Sequence, residues 1–401
     1  MPLLNARTFW AWIAGASLLW SMGCRRQPAQ PAERPGPTAS AQPPRVGGAD
    51  VVQLVRKATS GGSKPEFLSV TLFPGRGMNL FQITANLPGK GEIPLLRSPT
   101  IAEAAGLMNG SGKDQWGNAS HSFGGAFLIP YPNLISGKPS EDGQEIVTEW
   151  RGHALSLPAN WQGKNPGSPR RALHGLILSS RAEELHTLTT TDGQTETAVI
   201  HAGDFNGHWL SNTDLTFNIA LTGGAIDLAI TARNVGKVLE PMAIGWHPYF
   251  AIPSGDRSQA RLHVPASMVM EANDAVPTGQ LKPVKGTLFD FESPQGVPLG
   301  NHDFNNNLSH LQRTSGAADA WMSDPKSNYG IHVKALSPEI RTLQIYAPAD
   351  RPFTAIEDQF NYPDPFAPQW RGMDTGMVTL RPGQSVTWKV RLELFTPEPA
   401  K

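Results

Sequence analysis

The chain has one cysteine, Cys24, among 401 residues, so an intrachain disulfide framework is excluded. Neither charge is in excess. The 34 basic and 34 acidic side chains balance, which removes the electrostatic reason to expect nucleic acid or an anionic surface as partner. The sequence has no basic stripe with interleaved aromatics, no Cys/His zinc spacing and no internal repeat of fixed period. Long helical patterns are scarce as well. Glycine (40) and proline (36) are abundant, without a collagen-like period. Many turns and few helices point to an all-β fold.

The one long apolar stretch lies at the N-terminus. Arg7 is positive, Thr8 to Met22 is apolar, and Gly23 precedes Cys24. Residues 1–24 read as a secretory signal peptide, too short for a transmembrane helix. A cysteine after a small residue at that point resembles a bacterial lipoprotein signal, in which the cysteine is lipidated and becomes the new N-terminus. Ser21 stands where such signals usually carry leucine, and an ordinary cleaved signal is the alternative. Residues 25–50 read as a disordered tether, rich in Pro, Ala and Gln as far as Gly48. The expectation is an exported protein, periplasmic or anchored to a membrane through Cys24. Fractionation checks this. Wild type is expected with the membranes and Cys24→Ala in the soluble fraction; equal release of both would exclude the anchor.

Residues 51–398 are expected to form a single large antiparallel β-sandwich. Phe67 to Ala85 reads as two strands around a turn at Pro74-Gly75-Arg76-Gly77. Leu215, Phe217, Ile219 and Leu221, then Ile226, Leu228 and Ile230, alternate on either side of Thr222-Gly223-Gly224, a strong hairpin signal. Val378 and Leu380 lead through Arg381-Pro382-Gly383-Gln384 to a one-faced strand carrying Val386, Trp388, Val390, Leu392 and Leu394. The acidic, leucine-bearing stretch Leu178 to Leu188 is the best helix candidate.

Four segments carry reactive side chains in this strand-and-loop setting. Gly245-Trp246-His247-Pro248-Tyr249-Phe250 sets a histidine among aromatics, and the proline after it favours an extended backbone. Leu173-His174-Gly175 places a histidine before a glycine, where a backbone can approach a ligand closely. Asp303 and Glu357 supply carboxylates, the second at the end of an apolar strand and followed by Asn361-Tyr362-Pro363-Asp364. The remaining histidines show no ligand spacing, so no metal is expected.

These segments resemble, in order, the motifs of the aldose 1-epimerase (galactose mutarotase) family. The resemblance runs from Gly124-Gly125 with Asn133-Leu134-Ile135, through Leu173-His174-Gly175, His247-Pro248-Tyr249-Phe250 and Asp303, to Glu357 with Pro363-Asp364, and covers roughly residues 65 to 395. It implies the galactose mutarotase-like supersandwich fold and interconversion of the α and β anomers of a hexose, with no cofactor and a small sugar as partner. Oligomeric state is left open. By resemblance Glu357 is the base that takes the proton of the C1 hydroxyl. His247 is the acid that protonates the ring oxygen. His174, Asp303 and Asn133 bind the sugar. Trp246, Tyr249 and Trp370 are candidates for stacking by residue type alone.

Leu134 departs from the family pattern, which has an arginine there in contact with the sugar. Three readings follow: an altered substrate, a compensating basic residue such as Lys138 or Arg151, or a carbohydrate-binding protein that has lost turnover. A glycoside hydrolase or lyase on a similar sandwich is a further alternative, with Asp303 and Glu357 as the carboxylate pair a hydrolase needs.

Overall fold

Period-2 alternation builds two large antiparallel sheets, of nine and twelve strands. The computed structural model describes residues 43–59, 61–163 and 165–397. The expected signal peptide, Cys24 and the expected tether as far as residue 42 lie outside these residues. The expected tether ends sooner than the sequence indicated. Arg45–Val46 pairs with Ala49–Asp50, and Val46 and Ala49 are buried.

The nine-stranded sheet contains the expected hairpin in the expected register, with Leu215 opposite Ala232, Phe217 opposite Ile230 and Ile219 opposite Leu228. Thr222 closes its turn, donating its N–H to the Ala225 carbonyl at 2.9 Å. The C-terminal strand Ser385–Phe395 joins this hairpin to Tyr329–Ala335. The twelve-stranded sheet includes Glu66–Phe73 and Asn79–Leu87, the two strands expected around the turn at Pro74. The core lies between the sheets, where Phe127 of one meets Phe217 and Trp388 of the other at 5.5 and 6.2 Å. Truncating so buried an aromatic costs roughly 3–5 kcal/mol.

The helix expected over Leu178 to Leu188 does not form. Glu183–Thr189 is instead an exposed edge strand paired with Gln194–Gly203. Leu185 and Leu188 are exposed, so no apolar face repays a helix here, and main-chain pairing with the neighbouring strand wins. Among the described residues the α-helix that does form is Ile101–Leu107. Its N-terminus is a capping box in which Thr100 and Glu103 satisfy each other's backbone N–H groups. That four-residue signal stands in the sequence but was not among the expectations.

Asp358 is fully buried on the strand Phe353–Gln359, and neither carboxylate oxygen has a hydrogen-bond partner. Burial raises its pKa well above the ordinary value, with Arg313 partly opposing. The folded chain therefore keeps this proton to higher pH than the unfolded chain, whose Asp titrates near ~3.9. The stabilisation is full below that value and is lost as pH rises towards the folded pKa. Asp358→Asn should remove the loss. Its melting temperature should gain several degrees on wild type between pH 4 and pH 8; a difference independent of pH would contradict the assignment.

Candidate active site

Strand register assembles the site. Gly245 pairs with Gln359, so two residues further along these antiparallel strands His247 stands opposite Glu357. Gln344 flanks Glu357 on the next strand, and Asn307 flanks Gln344 on the one after. One row of polar side chains thus crosses four strands: Asn307, Gln344, Glu357 and His247. A second row sets Asn305 against Tyr346. These residues share a cavity of about 240 Å³ with His121, Asn133, Leu134, Trp161, His174 and Tyr249. That volume is small for a ligand pocket (about 300–1,000 Å³) and suits one sugar ring.

His247 Nε2 lies 3.4 Å from Glu357 Oε1. Glu357 is 1% exposed and His247 6%. Desolvation disfavours both charges, pushing Glu357 well above the usual carboxylate range and His247 down to about 3. The neighbouring His121 adds to the depression of His247. Both shifts favour the uncharged forms, a protonated Glu357 beside a neutral His247. Gln359 Nε2 donates to Glu357 Oε2 at 2.9 Å and holds that carboxyl in place. Asn133 in turn donates to Gln359 Oε1, and to Asn307 Oδ1 at 3.3 Å.

His174 completes the opposite wall. Its backbone is left-handed, with φ 64°, and its N–H donates to the Asn133 carbonyl at 2.8 Å. Gly175 follows at φ 77°, and a Cβ there would lie 2.3 Å from the Ile129 carbonyl oxygen. Only glycine fits, and its chain path turns His174 into the cavity. The His174 ring meets His247 edge-on at 5.1 Å and His121 at 4.8 Å. Burial, with the two neighbouring imidazoles, holds His174 well below its ordinary pKa.

Residues 102–393 match the aldose 1-epimerase family. The chain belongs to that family. Solved structures share its fold. A galactose mutarotase-like protein from Clostridium acetobutylicum is 18% identical with a TM-score of 0.64, the match covering 82% of this chain and 92% of that one. An aldose epimerase homologue from C. elegans gives 17% and 0.62, covering 86% and 98%. A galactose 1-epimerase from Lactobacillus acidophilus gives 16% and 0.60, covering 87% and 99%. No curated protein matches the chain by sequence.

In this aldose 1-epimerase family member the cavity gathers His174, His247, Glu357, Asn133 and Tyr249 from the sequence expectations. Four assignments need correction. Trp246 does not face the cavity. Strand alternation turns it into the core, fully buried, with its indole N–H on the Gly125 carbonyl at 3.1 Å. A Cβ on Gly125 would fall 2.4 Å from that nitrogen, which explains the glycine. Trp370 is buried against Tyr362, its N–H held by the carbonyls of Pro363 and Asp364. Asp303 is exposed, accepts the Ala349 N–H at 2.6 Å and is not among the lining residues. Lys138 and Arg151 line other surface hollows, so neither replaces the family's arginine at Leu134. Asn305, Asn306, Asn307, Gln344, Tyr346 and His121 line the cavity and were missed. Polar residues at every second position of the apolar strand Thr342–Ala347 were the available signal.

Proposed function

We propose that this protein is an aldose 1-epimerase acting on free hexoses or reducing ends of sugars. The observation that carries the reading is the buried pair of Glu357 and His247, 3.4 Å apart and set across one wall of a cavity sized for a sugar ring.

The proton count closes. With the proton moved to His247, Glu357 is a carboxylate and takes the proton of the C1 hydroxyl. The bond from C1 to the ring oxygen breaks as C1=O forms, and His247 protonates the ring oxygen. The pair now has its proton on Glu357, the state that burial favours in the empty cavity. Rotation about C1–C2 presents the other face of the aldehyde. The ring hydroxyl adds to C1 and returns its proton to His247, while Glu357 protonates the new C1 oxygen. Each transfer is general acid–base catalysis at a positioned side chain. His174 and the asparagine and glutamine side chains bind sugar hydroxyls, and Tyr249 lies beside His247 with ring centroids 4.8 Å apart.

Leu134 favours a second reading, a sugar-binding protein without turnover. Polarimetry of freshly dissolved α-glucose and α-galactose separates the two. Acceleration over buffer is expected; heat of sugar binding in the calorimeter with no acceleration would leave only the binding protein. The hydrolase reading loses its second carboxylate, because Glu357 is the sole Asp or Glu among the lining residues. For the N-terminal segment the proposal is export, with anchoring through Cys24.

A further inference from the structure

Two imidazoles of the cavity, His174 and His121, take no part in the proton cycle, and of these only His121 has no role in the epimerase reading. His121 sits on the short 3-10 turn Asn118–Ser122 and is the only residue of that turn that lines the cavity. Its ring is 4.8 Å from His174 and 6.3 Å from His247.

The turn is held by unusual means. Arg76 Nη2 meets Asp114 Oδ1 at 2.6 Å, both side chains being about 3–4% exposed. Arg76 Nε donates to Ser120 Oγ at 2.9 Å, and Ala119 N donates to Asp114 Oδ1 at 2.9 Å. Asn79 Nδ2 donates to the Ser120 carbonyl at 2.6 Å. From the cavity side, the Tyr249 hydroxyl donates to the His121 carbonyl at 2.9 Å. A buried ion pair is a weak source of stability and is tolerated only when its remaining hydrogen bonds are satisfied. Here those bonds converge on the turn that carries His121. Leu134 meanwhile leaves the same cavity without its family arginine, and no lysine or arginine is among the lining residues.

We propose that His121 is the sugar-contacting donor that stands in for the arginine missing at position 134, hydrogen-bonding a hydroxyl of an uncharged aldose. The inference rests on the epimerase reading and extends it to a residue and a substrate class. Desolvation holds the imidazole down to about 4, so it meets the sugar as a neutral donor at physiological pH. A neutral donor offers a hydroxyl what it needs and offers a phosphate or carboxylate no countercharge.

The test uses the full chain with glucose and galactose in kinetic polarimetry. His121→Leu should raise KM about tenfold, the worth of one neutral hydrogen bond, with kcat changed less than about threefold. His121→Asn keeps a donor and should recover part of that loss. The surface variant His201→Gln should match wild type. The acid limb of kcat/KM should also move to higher pH in His121→Leu, because His247 loses a neighbour of like charge. A merely structural role would not move that limb. If wild type turns over sugar while His121→Leu keeps its KM and its acid limb, the assignment of His121 falls and the epimerase reading stands. If wild type accelerates mutarotation of neither sugar, both fall.

Discussion

Glu357→Gln is expected to lower kcat by roughly 10²–10⁴-fold, the usual contribution of a positioned acid or base. Glutamine matches the carboxyl in shape, and Gln359 can still reach it from 2.9 Å, so the cavity wall should survive. What the variant lacks is a site that both accepts and returns a proton. Hexose binding measured by calorimetry should stay within about threefold of wild type, since the lost function belongs to the transition state. Bell-shaped pH dependence should vanish together with turnover. A variant that mutarotates glucose at the wild-type rate would remove Glu357 from the reaction.

The second large effect is structural. Gly175→Ala places a Cβ 2.3 Å from the Ile129 carbonyl oxygen, at a φ of 77° that L-residues rarely adopt. The obstacle is main chain and cannot rotate away. The same carbonyl accepts the Leu176 N–H at 2.7 Å, so relief of the clash breaks a backbone bond. The cost should be on the order of 2–4 kcal/mol, from left-handed strain and local unpacking together. Thermal melting should fall by several degrees. Polarimetry well below the melting point should show a raised KM, because His174 hangs on the displaced segment. Melting within about one degree of wild type would mean that the segment relaxes more easily than its contacts imply.

Motifs, hairpins and the C-terminal strand were readable because each signal is local. His247 before Pro248, His174 before Gly175, and Glu357 closing an apolar strand all announce themselves within a few residues. The asparagines of Phe304–Leu311 do not. They become part of the site only through register with Thr342–Ala347, a pairing set by sheet topology. Trp246 was misread for a related reason. Adjacent residues of a strand face opposite ways, so the residue beside a cavity histidine belongs to the core. Asp303 followed the family's motif order, but its loop spends the carboxylate on the Ala349 N–H. His121 had no spacing signal, since its placement depends on Arg76, Asp114 and Ser120 meeting from separate segments.

The polar row from Asn307 through Gln344 and Glu357 to His247 also makes this protein a monitor of its own assembly. A strand that pairs one residue out of step sends its members of the row into the opposite layer. Compact misregistered forms would keep much of their β-sheet circular dichroism and have no paired acid and base. In a refolding experiment, spectroscopic recovery should therefore run ahead of activity, and the interval between them would time the correction of strand register.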